Sequence, residues 1–173
     1  RKAKAGQTED IRACIACNQA CIHHFHRGYP ISCIQHPESG RELVYGKRKK
    51  AKQKKRVLVA GGGPAGMKAA AVLAERGHAV TLYEAGRQLG GQVLLARLLP
   101  GRAEFGGLAT NLTRECEIHG VAIVKGTAVD RALVERERPD AVVIATGARP
   151  RWPEFEGREE TLAVDAWQVL RGE

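Results

Sequence analysis

Arg56 to Glu84, reading RVLVAGGGPAGMKAAAVLAERGHAVTLYE, constrains the fold of this chain more than any other stretch. An apolar run, Val57 to Ala60, meets Gly61, Gly63 and Gly66. A helical pattern closed by Gly77 follows, then a second apolar run ending on Glu84. This is a βαβ unit carrying the dinucleotide fingerprint G-x-G-x-x-G. Gly61 permits the tight turn off the strand, and Gly63 lets the backbone approach a pyrophosphate. Gly66 lets helix and strand pack closely. Pro64 and Ala65 open the helix, whose free N–H groups point at the phosphates. Glu84, eighteen residues past Gly66, is placed to accept hydrogen bonds from an adenosine ribose.

Further candidate contacts follow in order. Ala85 and Arg87 lie just past the acid. Arg87 suits phosphate neutralisation or adenine stacking as well as it suits an ordinary surface. The adjacent glycines of Gln88-Leu89-Gly90-Gly91-Gln92 allow a second backbone approach, and an ordinary loop would use them equally well. Phe105, Leu108, Leu112 and Cys116 share one face of an amphipathic helix ended by Gly120, so Cys116 reads as a core thiol. Val121 to Val124 is a strand, and 130–138 a short helix stopped by Pro139. Ala141 to Ala145 is a continuous apolar run, expected of a strand buried on both faces. It delivers Ala145, Thr146 and Gly147 to the carboxyl end of a parallel sheet, where such sheets bind ligands. Trp152 and Trp167 are expected to pack locally.

Upstream, residues 12–33 read RACIACNQACIHHFHRGYPISC and hold four of the five cysteines, as Cys14-x2-Cys17-x3-Cys21-x11-Cys33. Three thiols within eight residues and a fourth on a separate turn suit a metal site better than disulfides. Four thiolates would satisfy tetrahedral zinc. The asymmetric three-plus-one spacing suits a cubane iron–sulfur centre. Both remain open on spacing. His23, His24, His26 and His36 read as polar loop residues or outer donors.

The net charge of +9 is local. Lys47, Arg48, Lys49, Lys50, Lys52, Lys54, Lys55 and Arg56 supply eight positive charges, and without them the balance is 20 against 19. The run reads as a solvated hinge; with no aromatic inside it, base stacking has no support and nucleic acid is not expected. No run reaches membrane-spanning length and no signal peptide is evident, so a cytoplasmic protein without a membrane partner is expected. At 173 residues one good core is expected. The division is a cysteine segment (1–46), a basic linker (47–55) and the first part of an α/β dinucleotide-binding domain with a parallel sheet (56–173).

CIACNQAC, the distant Cys33, HPESGRE, the basic linker and VLVAGGGPAG, in that order, resemble the C-terminal half of the multi-cofactor Old Yellow Enzyme family. That group includes 2,4-dienoyl-CoA reductase, trimethylamine dehydrogenase and related demethylases. The resemblance spans nearly all of residues 11–170. It implies that Cys14, Cys17, Cys21 and Cys33 ligate a [4Fe–4S] cluster, and that the fingerprint, the GGQ turn with Gly91 and Gln92, and the ATG turn hold FAD or ADP. It further implies an FMN-bearing TIM barrel in the same or a partner chain, with FMN and NAD(P)H used by the full-length enzyme. An electron-transfer flavoprotein partner and homo-oligomerisation are compatible with it. The chain would then be the middle of a larger oxidoreductase, without substrate turnover of its own. A zinc-stapled adenine-nucleotide-binding module is the alternative. The spacing resembles the dienoyl-CoA reductase pattern and HPESGRE the demethylases, leaving the substrate class open.

Overall fold

The computed structural model describes residues 2–154, 156 and 163–173. The cysteine segment is mostly irregular. It contains a π-helical turn at Gln19–His23 and two short helices, α1 (His24–His26) and α2 (Glu42–Tyr45). The nucleotide half begins with β1 (Arg56–Ala60), α3 (Pro64–Glu75) and β2 (Ala79–Glu84). Then come α4 (Val93–Ala96), α5 (Gly106–Ile118), β3 (Ala122–Lys125), α6 (Arg131–Glu137) and β4 (Ala141–Ile144). Helix α7 (Ala166–Arg171) closes the chain.

The four strands are parallel in the order β3-β2-β1-β4. Val57 lies opposite Val80 on one side and Ala141 on the other, so β1 is central. Strand alternation sends its residues to two cores. Val57 and Val59 join Met67, Ala70 and Ala71 of α3 and Leu108, Leu112 and Cys116 of α5. Leu58 and Ala60 meet Tyr83 and Leu133, the latter from α6. That helix starts where Asp130 accepts the Leu133 amide at 2.8 Å, which satisfies one free first-turn donor.

Two expectations change. β4 is not buried on both faces: Ile144 is 80% exposed and Val142 38% exposed. Among the described residues it is one of the two edge strands, so its apolar run has a neighbour on one side only. Nor is the basic run a free hinge. Arg48 pairs with Glu38 and Glu75, Lys50 Nζ donates to the Glu75 carbonyl at 2.6 Å, and the Ala51 amide donates to the Arg76 carbonyl at 2.8 Å. The run is pinned along the carboxyl end of α3.

Candidate functional site

Each fingerprint glycine has a distinct reason to be glycine. Gly61 sits at φ +110°, and a Cβ there would stand 2.3 Å from the Ala145 carbonyl oxygen. At Gly66, in the first turn of α3, a Cβ would stand 1.9 Å from the Gly61 oxygen. Both are demands of chain packing. Gly63 differs: its φ is −75°, and a Cβ would meet nothing nearer than Gly91 Cα at 4.0 Å. The fold tolerates a side chain there; the space it would occupy belongs to the cavity above the sheet. Gly62, which sequence reasoning passed over, is also constrained, because a Cβ would come within 2.5 Å of Leu89 Cδ2 and 2.9 Å of Glu84 Oε2.

That cavity, of about 630 Å³, lies at the carboxyl ends of β1 and β4. It gathers Gly61, Gly63, Pro64, Ala65, Glu84, Gly91, Gln92, Ala145, Thr146 and Gly147, ten of the thirteen nucleotide candidates. The turns are tied together: the Gly90 amide donates to the Gly62 carbonyl at 2.9 Å, and Gln92 Nε2 to the Ala148 carbonyl at 3.3 Å. The first turn of α3 has no capping side chain, so its amides keep the anion-binding character of a free helix N-terminus. Glu84 accepts the Gly62 amide at 2.7 Å and the Gly86 amide at 2.6 Å, one on each oxygen. That holds the carboxylate rigidly and leaves lone pairs for hydroxyl donors.

The remaining candidates lie elsewhere. Gly66 is buried under the turn, Ala85 is exposed, and Arg87 lines a separate cavity with Arg97, Arg114 and Lys125. The sequence reading missed Val93, Leu94 and Leu95 of α4, and Trp167 and Arg171 of α7, all lining the nucleotide cavity. VLLA directly after GGQ was an available signal for the first three. Nothing local marks Trp167, which faces this cavity as well as its neighbour Arg171, whose Cζ lies 5.9 Å from the ring centroid.

In the cysteine segment all four thiols are free, Cys14 exposed and the others half-buried. Ala16 and Asn18 take left-handed conformations at φ 52° and 54°, curling the chain between Cys14 and Cys21. The curl lets the Ala16 amide donate to Cys14 Sγ at 3.3 Å. Cys14 and Cys33 line one cavity of about 360 Å³ with Lys2, Arg12, Gln35 and His36. Cys17 and Cys21 do not line it, and among the described residues no three His, Cys, Asp or Glu side chains converge on a single-ion site. Burial first, and then the Arg12 and Lys68 charges, hold the His36 imidazole below its ordinary value. Cys116 is apart from all this. Fully buried, its thiol meets the Met67 carbonyl at 3.3 Å, and desolvation pushes it up to about 11.

A parallel sheet with three backbone turns gathered over its carboxyl end defines a dinucleotide-binding α/β protein. The chain belongs to the pyridine nucleotide-disulphide oxidoreductase family, whose pattern matches residues 55–170. It is 41% identical to NADH oxidase of Thermoanaerobacter brockii over 99% of its length, and 39% identical to N,N-dimethylglycine/sarcosine dehydrogenase of Chromohalobacter salexigens, also over 99%. A 2-naphthoyl-CoA reductase complex superposes with a TM-score of 0.92 at 32% identity, covering 99% of this chain. The relatives are oxidoreductases and bear out the resemblance to multi-cofactor Old Yellow Enzyme proteins. The chain spans about a quarter of their length: 27% of the NADH oxidase and 26% of each of the others. No described helix is long and apolar enough to cross a membrane.

Proposed function

We propose that this chain is the electron-relay portion of an iron–sulfur flavoprotein oxidoreductase. It holds the ADP part of FAD, or ADP itself, over the carboxyl end of its sheet, and a [4Fe–4S] cluster on Cys14, Cys17, Cys21 and Cys33. The observation that carries the nucleotide reading is Gly63: a glycine the fold does not require, facing the cavity into which three turns converge. The α3 amides and the Gly61–Gly63 turn would take the pyrophosphate, and Glu84 the ribose hydroxyls. The donor set of the cysteine segment fits the cluster, with four unpaired thiols, a left-handed curl and an amide already bonded to one sulfur. Bound together, a flavin exchanges electrons in pairs and a four-iron cluster singly, which converts one kind of transfer into the other.

The relatives' names support both reductase and amine dehydrogenase settings; an FMN-bearing barrel and a nicotinamide-nucleotide site, which the family resemblance implies, would lie in the length of such enzymes that this chain does not span. Two measurements test the reading. Anaerobically purified protein is expected to be brown, with iron and acid-labile sulfide in equal amounts; a colourless, zinc-containing protein would replace the cluster with a zinc staple. ADP titration of Gly63→Val is expected to show weakened binding, and unchanged affinity would remove the nucleotide from this cavity.

A further inference from the structure

A polar chain that neither site uses links the cysteine segment to two helices of the nucleotide half. Glu115 of α5 is 8% exposed and sits between two cations. Arg12 Nε lies 2.6 Å from its Oε1, and Lys68 Nζ of α3 lies 2.9 Å from its Oε2. Two cations and one anion leave one net positive charge. Arg12 also spans the two stretches that bear the outer cysteines. Its Nη1 donates to the Gln35 carbonyl at 2.9 Å and lies 3.0 Å from His36 Nδ1. Gln35, itself buried, donates to the Ala13 carbonyl at 2.6 Å and accepts from Asn111 Nδ2 of α5 at 2.6 Å. Ala13 and Gln35 are one and two residues from Cys14 and Cys33, and Arg12 lines the cavity those thiols share.

Holding Glu115 out of water has a desolvation cost that an apolar residue would avoid. What the arrangement secures is a guanidinium that cannot swing away from the thiols. We infer that Arg12, locked by Glu115, is a positioning residue that fixes positive charge over the Cys14–Cys33 cavity and so raises the reduction potential of a cluster ligated there; this rests on the cluster reading above. Reduction adds negative charge to a cluster, and a fixed cation in a partly dehydrated setting favours the reduced form. Lys2 shares the cavity, but it is exposed and its Nζ donates to the Asp10 carbonyl at 2.6 Å.

The test is a dye-mediated redox titration of anaerobically purified protein, followed by electron paramagnetic resonance, with iron and sulfide assayed on each sample. Arg12→Gln is expected to keep its iron and shift the midpoint to more negative values, while Arg12→Lys stays near wild type. Glu115→Gln frees the guanidinium and is expected to shift the midpoint in the same negative direction, against the positive shift that removing an anion would give by itself. An iron-replete Arg12→Gln protein with the wild-type midpoint overturns the inference, as do Arg12→Gln and Glu115→Gln shifts of opposite sign. If Arg12→Gln loses its iron, Glu115→Gln decides: a negative shift supports the assignment and an unchanged or positive one overturns it. Wild-type protein that binds neither iron nor sulfide fails at the first assay and removes the cluster reading itself, so the two failures are distinguishable.

Discussion

The nucleotide half and the cysteine segment are held in shape by different means. In the first, strands β1 and β2 and helices α3 and α5 close around apolar side chains, and the glycine turns are fixed by backbone contacts within the half. In the second, Ile15 is the one buried apolar residue, while Ile22, Phe25, Tyr29, Ile31, Leu43 and Val44 are exposed. Its other anchors are polar: Gln35 and Glu38, both buried, and Arg12 reaching Glu115. A site built from backbone turns over a packed sheet is formed before its ligand arrives. A site built from side-chain thiols on irregular chain takes much of its order from what the thiols bind.

This contrast can be broken at several points. The largest effect is expected at Gly66→Val, where backbone must move to admit the side chain. A loss on the order of 3 kcal/mol is expected, and an unchanged urea midpoint would refute the close helix–strand contact. Cys14→Ser and Cys33→Ser should lose the cluster while retaining ADP binding, and Cys116→Ser should keep its iron. Full iron in Cys14→Ser would sink the ligand assignment, and loss of ADP binding in that variant would erase the contrast between the two halves. Gly63→Val should weaken ADP roughly tenfold, about 1.4 kcal/mol, while leaving the unfolding midpoint near wild type. A large fall in stability there would show that the fold needs this glycine after all.

The smallest effect concerns Cys116. Its folded thiol titrates at about 11 against an ordinary 9.0. The unfolded chain therefore sheds this proton first, and stability falls as pH rises through the window between those values. In Cys116→Ala that part of the alkaline decline should vanish. An identical pH slope in wild type and variant would contradict the raised value.

The nucleotide half was legible because its signals are local: glycine spacing, strand period and an acid at fixed distance all describe one βαβ unit. What was missed depends on distant contacts. Trp167 enters the cavity from α7, more than a hundred residues after Gly63 in the chain. Arg12 and Glu115 carried no motif, and only the docking of the segment against α5 makes them partners. Arg87 followed the acid in sequence, but the turn at Gly86 carries it to a different cavity. For β4 the apolar run correctly indicated a strand. Its burial depended on neighbours that a run of residues does not encode.

That strand has a practical consequence for handling the protein. Among the described residues Ala141–Ile144 is an edge strand with a neighbour on one side only, with Ile144 largely in solvent and no charge or proline inside the strand. Unprotected edges of this kind are where sheets from separate molecules zip together. Asp140 before the strand, and Arg149 and Pro150 shortly after it, are the nearby residues that oppose such pairing. At high concentration self-association is predicted to begin along this strip. Ile144→Lys should then raise soluble yield, and light scattering that rises equally in both proteins would place the sticky surface elsewhere.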